Sequence, residues 1–201
     1  AAALLAAYAV ALAAYKARPW SPKGRESYRA AQTSQGVTIA IDPLYRDKLA
    51  SQVFDKDDIV TRGIMPLAVA VFNDNDYEVE VDGMSIELIR GEDHIRTLAP
   101  GEAVGRLFGR SRSSFGQPAG RPSTEKALAD FDNKFLVNMP VAARGKGGGF
   151  VYFPVPKSEN LAAYLSAASV YIPNVYRLDN DSRLIFFEIA LNAALPSGGG
   201  R

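Results

Sequence analysis

The chain has 201 residues, a formal net charge of +1 and 47% apolar residues, so it supports one sizeable domain and is not disordered throughout. The small net charge argues against a general nucleic-acid binder, and we predict no nucleic-acid partner. The absence of cysteine and the single histidine exclude disulfides, thiolate zinc sites and, within one chain, histidine-rich metal sites; we predict no cofactor.

An unbroken apolar segment covers residues 1–15, and basic residues follow it. A fifteen-residue helix is about 22 Å long, shorter than the bilayer core of about 30 Å. Three interpretations remain open: the end of a membrane anchor, the core of an export signal, or a helix packed on the protein or a partner. The first predicts that residues 1–18 form an apolar helix that contacts the bilayer. Its anchor residues would be Leu4, Leu5, Tyr8, Val10, Leu12, Tyr15, Lys16 and Arg18, with Trp20 just beyond the helix.

Residues 19–35 are polar and, together with Gly36, contain two prolines and two glycines, which predicts a tether. A short strand is predicted from Val37 to Ile41 because Val37, Ile39 and Ile41 alternate. Helical spacing of apolar residues follows in residues 45–54, and residues 55–63 form a charged connection.

A β-meander is predicted over residues 65–90. Residues 65–72 are apolar on both faces, as expected for a central strand. The Asn-Asp-Asn-Asp sequence at 73–76 has typical turn chemistry. Two further strands follow, over residues 77–82 and 84–88, in which apolar and polar residues alternate.

The second half of the chain alternates short helices with strands. Short helical pieces are predicted at residues 102–107 and 161–165, and a longer helix from Ser123 to about Val137 with an apolar stripe of Leu128, Phe131 and Phe135. Glycines at 145–149 predict a flexible lead into a strand at 150–153. A closing hairpin is predicted from strands 169–178 and 183–191 around a turn at 179–182.

About seven strands with no βαβ alternation predict a mainly β, antiparallel sandwich with short helical insertions. The domain would span residues 36–192, followed by a flexible tail at 193–201. Val69 and Phe187 are predicted to lie in its core.

Several stretches resemble a group of bacterial exported or membrane-anchored proteins whose function is uncharacterised. The stretches are residues 36–40, 63–67, 72–74, 149–153 and 186–191, and the similarity covers residues 36–192. The strand, Asn-Asp turn and second strand also resemble immunoglobulin-like domains of the late-embryogenesis type. The resemblance implies an immunoglobulin-like β-sandwich and a membrane-associated setting, on the periplasmic or extracytoplasmic side. It implies no catalytic residue.

Three patterns suggest chemistry, but each has a simpler interpretation. The acidic row Asp74, Asp76, Glu78, Glu80 and Asp82 could bind calcium, yet alternate residues on a strand lie about 6.5 Å apart and a solvated face explains them better. The glycines at 145–149 precede a strand, unlike those of a phosphate-binding loop. His94 and the serines at 111–114 lack the surroundings of a nucleophile site.

An arginine-rich loop over residues 106–121 is the best candidate binding site. Arginine and phenylalanine are enriched at protein interfaces, and arginine also binds anionic lipid headgroups. The alternative is a solvated loop. The candidate partner- or lipid-binding residues are Arg106, Phe108, Arg110, Arg112, Phe115 and Arg121.

These features predict a non-catalytic accessory or structural subunit of a membrane or cell-envelope complex. It would dock on membrane subunits through its domain and on the bilayer through its N-terminal helix. A module that binds anionic lipid or polymer through the arginine-rich loop is the alternative, and an enzyme is a third hypothesis.

Overall fold

The protein is mainly β, with three antiparallel sheets and four short α-helices in the part that the structure describes. The structure is a computed structural model, and it describes residues 15–109, 122–137, 139–156, 160–184 and 186–195. Residues 1–14 and most of the arginine-rich loop, including Arg110, Arg112, Phe115 and Arg121, therefore lie outside the described residues, as does the tail after Leu195.

The first sheet has four strands in the order β1-β2-β3-β8. Its members are β1 (Ala30–Ser34), β2 (Val37–Pro43), β3 (Ile64–Asn73) and β8 (Lys146–Pro154). Strand β3 is buried at all ten positions, which confirms the prediction of a central strand covered on both faces.

The other two sheets use shorter strands. The three-stranded sheet, in the order β10-β4-β7, contains β4 (Val79–Val81), β7 (Met139–Val141) and β10 (Val175–Arg177). The remaining sheet, in the order β11-β9-β5-β6, contains β5 (Glu87–Arg90), β6 (Asp93–Arg96), β9 (Ser169–Ile172) and β11 (Phe187–Ala190).

Four α-helices lie at the predicted places. They are α1 (Asp47–Ala50), α2 (Pro100–Leu107), α3 (Pro122–Lys134) and α4 (Leu161–Ser166). Helices α1 and α3 are shorter than predicted, and α2 and α4 are slightly longer. In α2, a proline at the first helical position and the Glu102 carboxylate, which accepts the Ala99 backbone N–H at 3.0 Å, define the start.

The predicted β-meander is wrong, because β3, β4 and β5 lie in three different sheets. The turn after β3 is where predicted, but its Asn73 side chain donates to the carbonyls of Val141 and Ala142 as well as to Tyr77. This buried amide ties the turn to the β7 strand and its following loop. Strand β4 accordingly pairs with β7 and β10 rather than with β3.

The segment predicted as a tether contains strand β1, which pairs antiparallel with β2. The two strands are joined by a tight hairpin in which Gln35 and Gly36 both have positive φ, of 48° and 73°. Positive φ at both central residues is the geometry of a type I′ turn, which matches the twist of paired strands. The polar composition of β1 led to the prediction of a tether, because alternate side chains of this strand face outward.

The predicted flexible glycine lead is part of strand β8 and pairs with β3. Its glycines allow the two backbones to approach closely. A Cβ atom added at Gly148 would lie 2.2 Å from the Val69 carbonyl oxygen, and the φ of Gly148, 153°, disfavours other residues. Close packing, and not flexibility, explains why glycine occurs here.

The closing hairpin is confirmed in part. The beginning of its first predicted strand, β9, and the end of its second, β11, pair antiparallel with Phe187 opposite Ile172. Between them, however, β10 joins the three-stranded sheet. Both predicted core residues, Val69 and Phe187, are fully buried. Phe131 and Phe135 of the predicted α3 stripe are also buried, but Leu128 is 36% exposed and does not belong to it.

Candidate functional site

The first described residues, Tyr15 to Trp20, are attached to the domain. Tyr15 is only 4% exposed, and its hydroxyl donates a 2.7 Å hydrogen bond to Oδ2 of Asp130 in helix α3. A buried phenol of this kind requires a hydrogen-bond partner, and the carboxylate supplies it. Tyr15 was predicted to contact lipid, but its partner in the structure is the protein itself.

Lys16, Arg18 and Trp20 likewise contact the domain. The Lys16 backbone N–H donates to Oδ2 of Asp55 at 2.8 Å, and the Arg18 guanidinium lies 3.2 Å from Oδ1 of the same carboxylate. The Arg18 guanidinium also donates to the Ser51 carbonyl. The Trp20 ring packs edge-on against Phe150, with the ring centroids 4.7 Å apart. Together with Tyr15, these residues fasten the end of the apolar segment to the domain surface.

The carboxylate that holds Tyr15 belongs to a buried ion pair. Asp130 and Lys134 lie one turn apart on α3 and are only 4% and 8% exposed. The Lys134 ammonium bonds Oδ1 of Asp130 and lies 5.3 Å from the centroid of the Phe54 ring. A buried charge is tolerated only with such partners, so Tyr15, Asp130 and Lys134 depend on each other.

The arginine-rich loop begins from residues that the domain also holds. Arg106, in helix α2, donates to the Gly63 carbonyl at 3.2 Å. The Phe108 ring is partly buried against the core and lies 5.1 Å from the Lys56 ammonium. Both are predicted to bind a partner or lipid, and in the structure each also contacts the domain, Arg106 from an exposed position.

The attachment points of the two predicted docking segments lie side by side. Asp55 holds Lys16 and Arg18, and the next residue, Lys56, lies over Phe108, near the start of the loop. Helix α3, which follows the loop in sequence and packs against α2, carries the Asp130 that holds Tyr15. We call this region, formed by Tyr15, Asp55, Lys56, Phe108 and Asp130, the attachment surface.

Three residues of the attachment surface, Asp55, Lys56 and Asp130, were not identified from the sequence, nor was Lys134, which pairs with Asp130. Asp55 gives no signal, because it stands among other charged residues of a connection. Asp130 and Lys134 do give one. They fall three and seven residues after Ala127, on the face of α3 that also buries Phe131, and charges on an apolar face predict a buried ion pair.

Tyr152 lies beside this network and donates from its hydroxyl to the Phe131 carbonyl at 2.9 Å. Its ring also packs against those of Phe131 and Phe135. Burial raises the pKa of Tyr152 well above its usual value of 10.0. The phenol therefore keeps its proton in the folded protein at a pH at which the unfolded chain would release it.

Replacement of Tyr152 by phenylalanine is expected to have a pH-dependent effect. At about pH 8 the variant should be less stable by about 0.5–1.5 kcal/mol, because a buried hydrogen bond is lost. Above about pH 10 the folded wild type keeps a proton on Tyr152 that the unfolded chain releases, so this residue alone lowers the stability by up to about 1.4 kcal/mol per pH unit. The Tyr152→Phe variant does not lose stability in this way. The difference in unfolding free energy between wild type and variant should therefore disappear or change sign near pH 11.

Urea unfolding of both proteins between about pH 8 and pH 11 measures this effect. Other titrating groups act on both proteins and cancel in the difference. A stability difference that stays constant over the whole range would contradict a buried, protonated Tyr152.

The other candidate sites have ordinary surface contacts. Asp74 of the acidic row pairs with Arg25 at 2.7 Å, and this hydrogen bond lowers the pKa of its carboxyl group. Asp82 accepts the backbone N–H of Met84 at 3.0 Å, and His94 Nδ1 lies 2.9 Å from a Glu87 carboxylate oxygen. Among the described residues, no three histidine or acidic side chains cluster to hold a metal ion.

In the part of the chain that the structure describes, no helix has the length and apolar character needed to cross a bilayer. Comparison of the chain with protein-family models, with curated proteins and with solved structures finds no match.

Proposed function

We propose that the protein is a non-catalytic accessory or structural subunit of a membrane or cell-envelope complex. It docks through the segment before Tyr15 and through the loop of residues 106–121, with the domain as the scaffold that presents both. The extracytoplasmic side of the membrane, which the family resemblance implies, is part of the same proposal.

The attachment surface is the observation that carries this proposal. Two segments that are far apart in sequence, one apolar and one rich in arginine, are rooted on adjacent residues, Asp55 and Lys56. A partner, or a membrane with anionic headgroups, could contact both segments at once. Two linked contacts raise the overall affinity well above that of either alone.

An immunoglobulin-like sandwich is the arrangement of sheets that we propose for the scaffold. One cluster of buried residues draws on all three sheets, as the core of a sandwich does. At one edge, the Gln32 side chain of β1 accepts the Glu188 backbone N–H of β11 at 2.9 Å, which joins two of the sheets. Every strand pair among the described residues is antiparallel, as in immunoglobulin-like domains.

Site-specific crosslinking in native membranes tests the docking proposal. The chain has no cysteine, so a single introduced cysteine can carry a photo-crosslinker at one chosen position. Asp57→Cys places it on an exposed residue beside Asp55 and Lys56 without removing either contact. We expect this position to crosslink to a membrane subunit, in a complex of fixed stoichiometry.

Glu92→Cys is the matched control, since Glu92 is also acidic and exposed but lies in the turn between β5 and β6. The Glu92→Cys variant should crosslink to a membrane subunit at least severalfold less than the Asp57→Cys variant. Equal crosslinking at both positions would contradict docking at the attachment surface. A chain that is recovered alone and binds vesicles of anionic lipid would instead support the lipid-binding alternative.

A further inference from the structure

A cleft of about 430 Å³ opens beside the end of strand β2, on residues that take no part in the attachment surface. Its walls come from the turn before β1, from the end of β2, from helix α1 and from the C-terminal turn at Ala194. This volume lies in the range of clefts that bind small molecules, about 300–1,000 Å³. The cleft is therefore large enough for a ligand of roughly a dozen heavy atoms.

The charges that line this cleft are mostly positive. Lys23, Arg29 and Arg46 line it together with a single carboxylate, that of Asp42, which the Lys23 ammonium approaches to 3.2 Å. Among the described residues, neither Arg29 nor Arg46 forms an ion pair. The lining thus has an excess of two positive charges, whereas the whole chain has a net charge of only +1. A concave surface concentrates the field of such an excess and attracts anions.

Two tyrosines hold the polar groups of the cleft in place. The Arg46 guanidinium lies 4.9 Å from the centroid of the Tyr45 ring, and the Tyr28 ring packs edge-on against Phe72 at 6.1 Å. The Tyr28 hydroxyl accepts the Lys23 backbone N–H at 3.1 Å, which leaves its own proton free to donate. Burial raises the pKa of Tyr28, so this proton is present at neutral pH.

The remaining walls are apolar, formed by Ile41, Pro43, Leu49 and Ala194. From this arrangement we infer that the cleft binds a small organic phosphate, a phosphate monoester that carries one ring or a short apolar group. A phosphate monoester has nearly two negative charges on one group at neutral pH, which matches the excess charge of the lining. Arginine donates two parallel hydrogen bonds to such a group, and the apolar part covers the apolar wall.

Calorimetric titration of the full chain tests this inference with three probes. Phenyl phosphate combines the anion with a ring, inorganic phosphate is the anion alone, and benzyl alcohol is an uncharged ring compound. For a ligand of this size we expect phenyl phosphate to bind with a Kd of about 0.1–1 mM. Each of the other two probes should bind at least about tenfold more weakly, and added salt should weaken phenyl phosphate binding.

The paired substitution Arg29→Gln with Arg46→Gln should weaken phenyl phosphate binding at least about tenfold, because two charge-assisted contacts are lost. The matched control is Arg96→Gln with Arg144→Gln, two exposed arginines outside the cleft, which removes the same charge. The control should bind within about twofold of wild type. If the arginine pair lowers the Tm, Tyr28→Phe replaces it, with a loss of at least about threefold expected from the missing donor.

Three results would overturn the inference. The first is no binding of phenyl phosphate at millimolar concentration. The second is an equal loss in the cleft variant and its control, which would show general attraction by surface charge. The third is equal affinity for phenyl phosphate and inorganic phosphate, which would remove the apolar part of the ligand.

Discussion

Replacement of Phe187 by alanine should lower the free energy of unfolding by about 3–5 kcal/mol. The Phe187 side chain is fully buried in strand β11, opposite Ile172 of β9, and belongs to the cluster of buried residues that joins the sheets. Truncation removes the apolar area of the ring and leaves a cavity among neighbours that relax only in part. Urea unfolding at equal m value measures the loss.

Phe186→Ala is the matched control, because the same chemical change is made one residue earlier. Phe186 is 47% exposed, and its ring contacts Tyr171 at 5.6 Å between centroids. We expect this variant to lose about 0.5–1 kcal/mol, the value of one exposed aromatic pair. Equal losses in the two variants would contradict the register of β11, since a shift by one residue exchanges the two faces of a strand.

This register is an example of what a sequence can predict. Local alternation of apolar and polar residues is enough to place Phe187 inside, and the same rule identifies β2 and the paired outer strands of the closing hairpin. A continuous apolar run identifies β3 as a central strand. The places of the helices are also predictable, and α1 to α4 each begin within about two residues of the predicted start. Each of these predictions depends on residues within about ten positions of one another.

The sequence could not predict which strands would pair. Turn residues at 73–76 show that the chain reverses, but they do not say whether β4 returns to β3 or crosses to another sheet. The choice depends on long-range contacts, such as those from the Asn73 side chain to the carbonyls of Val141 and Ala142, 68 and 69 residues away. Such contacts leave no periodic pattern in the chain.

In the candidate site, too, local features can be predicted from the sequence and long-range contacts cannot. The apolar segment and the arginine-rich loop can be recognised from their composition. That both are attached at neighbouring residues, Asp55 and Lys56, cannot be recognised, because these contacts form only in the folded chain. Aromatic residues often end membrane helices, and for this reason the sequence predicts an interfacial Tyr15. Its partner, Asp130, is 115 residues away, and only the folded chain brings the two together.

The network around Asp130 has the second large expected effect. Asp130→Ala should destabilise the protein by about 3–5 kcal/mol, because the Lys134 ammonium would stay buried without its counter-charge. The Tyr15 hydroxyl would lose its acceptor in the same variant. Asp132→Ala, on the exposed side of the same helix, is the matched control and should change stability by no more than about 0.5 kcal/mol.

Removal of the whole network separates the charge effect from simple packing. A triple variant with Tyr15→Phe, Asp130→Leu and Lys134→Met leaves no buried charge or hydroxyl unpaired, so it should recover to within about 1–2 kcal/mol of wild type. Trypsin cleavage after Lys16 reports on the segment itself, and Asp130→Ala should accelerate it at least about tenfold relative to Asp132→Ala. If Asp130→Ala were as mild as its control in both measurements, Asp130 would not be what holds the end of the apolar segment on the domain.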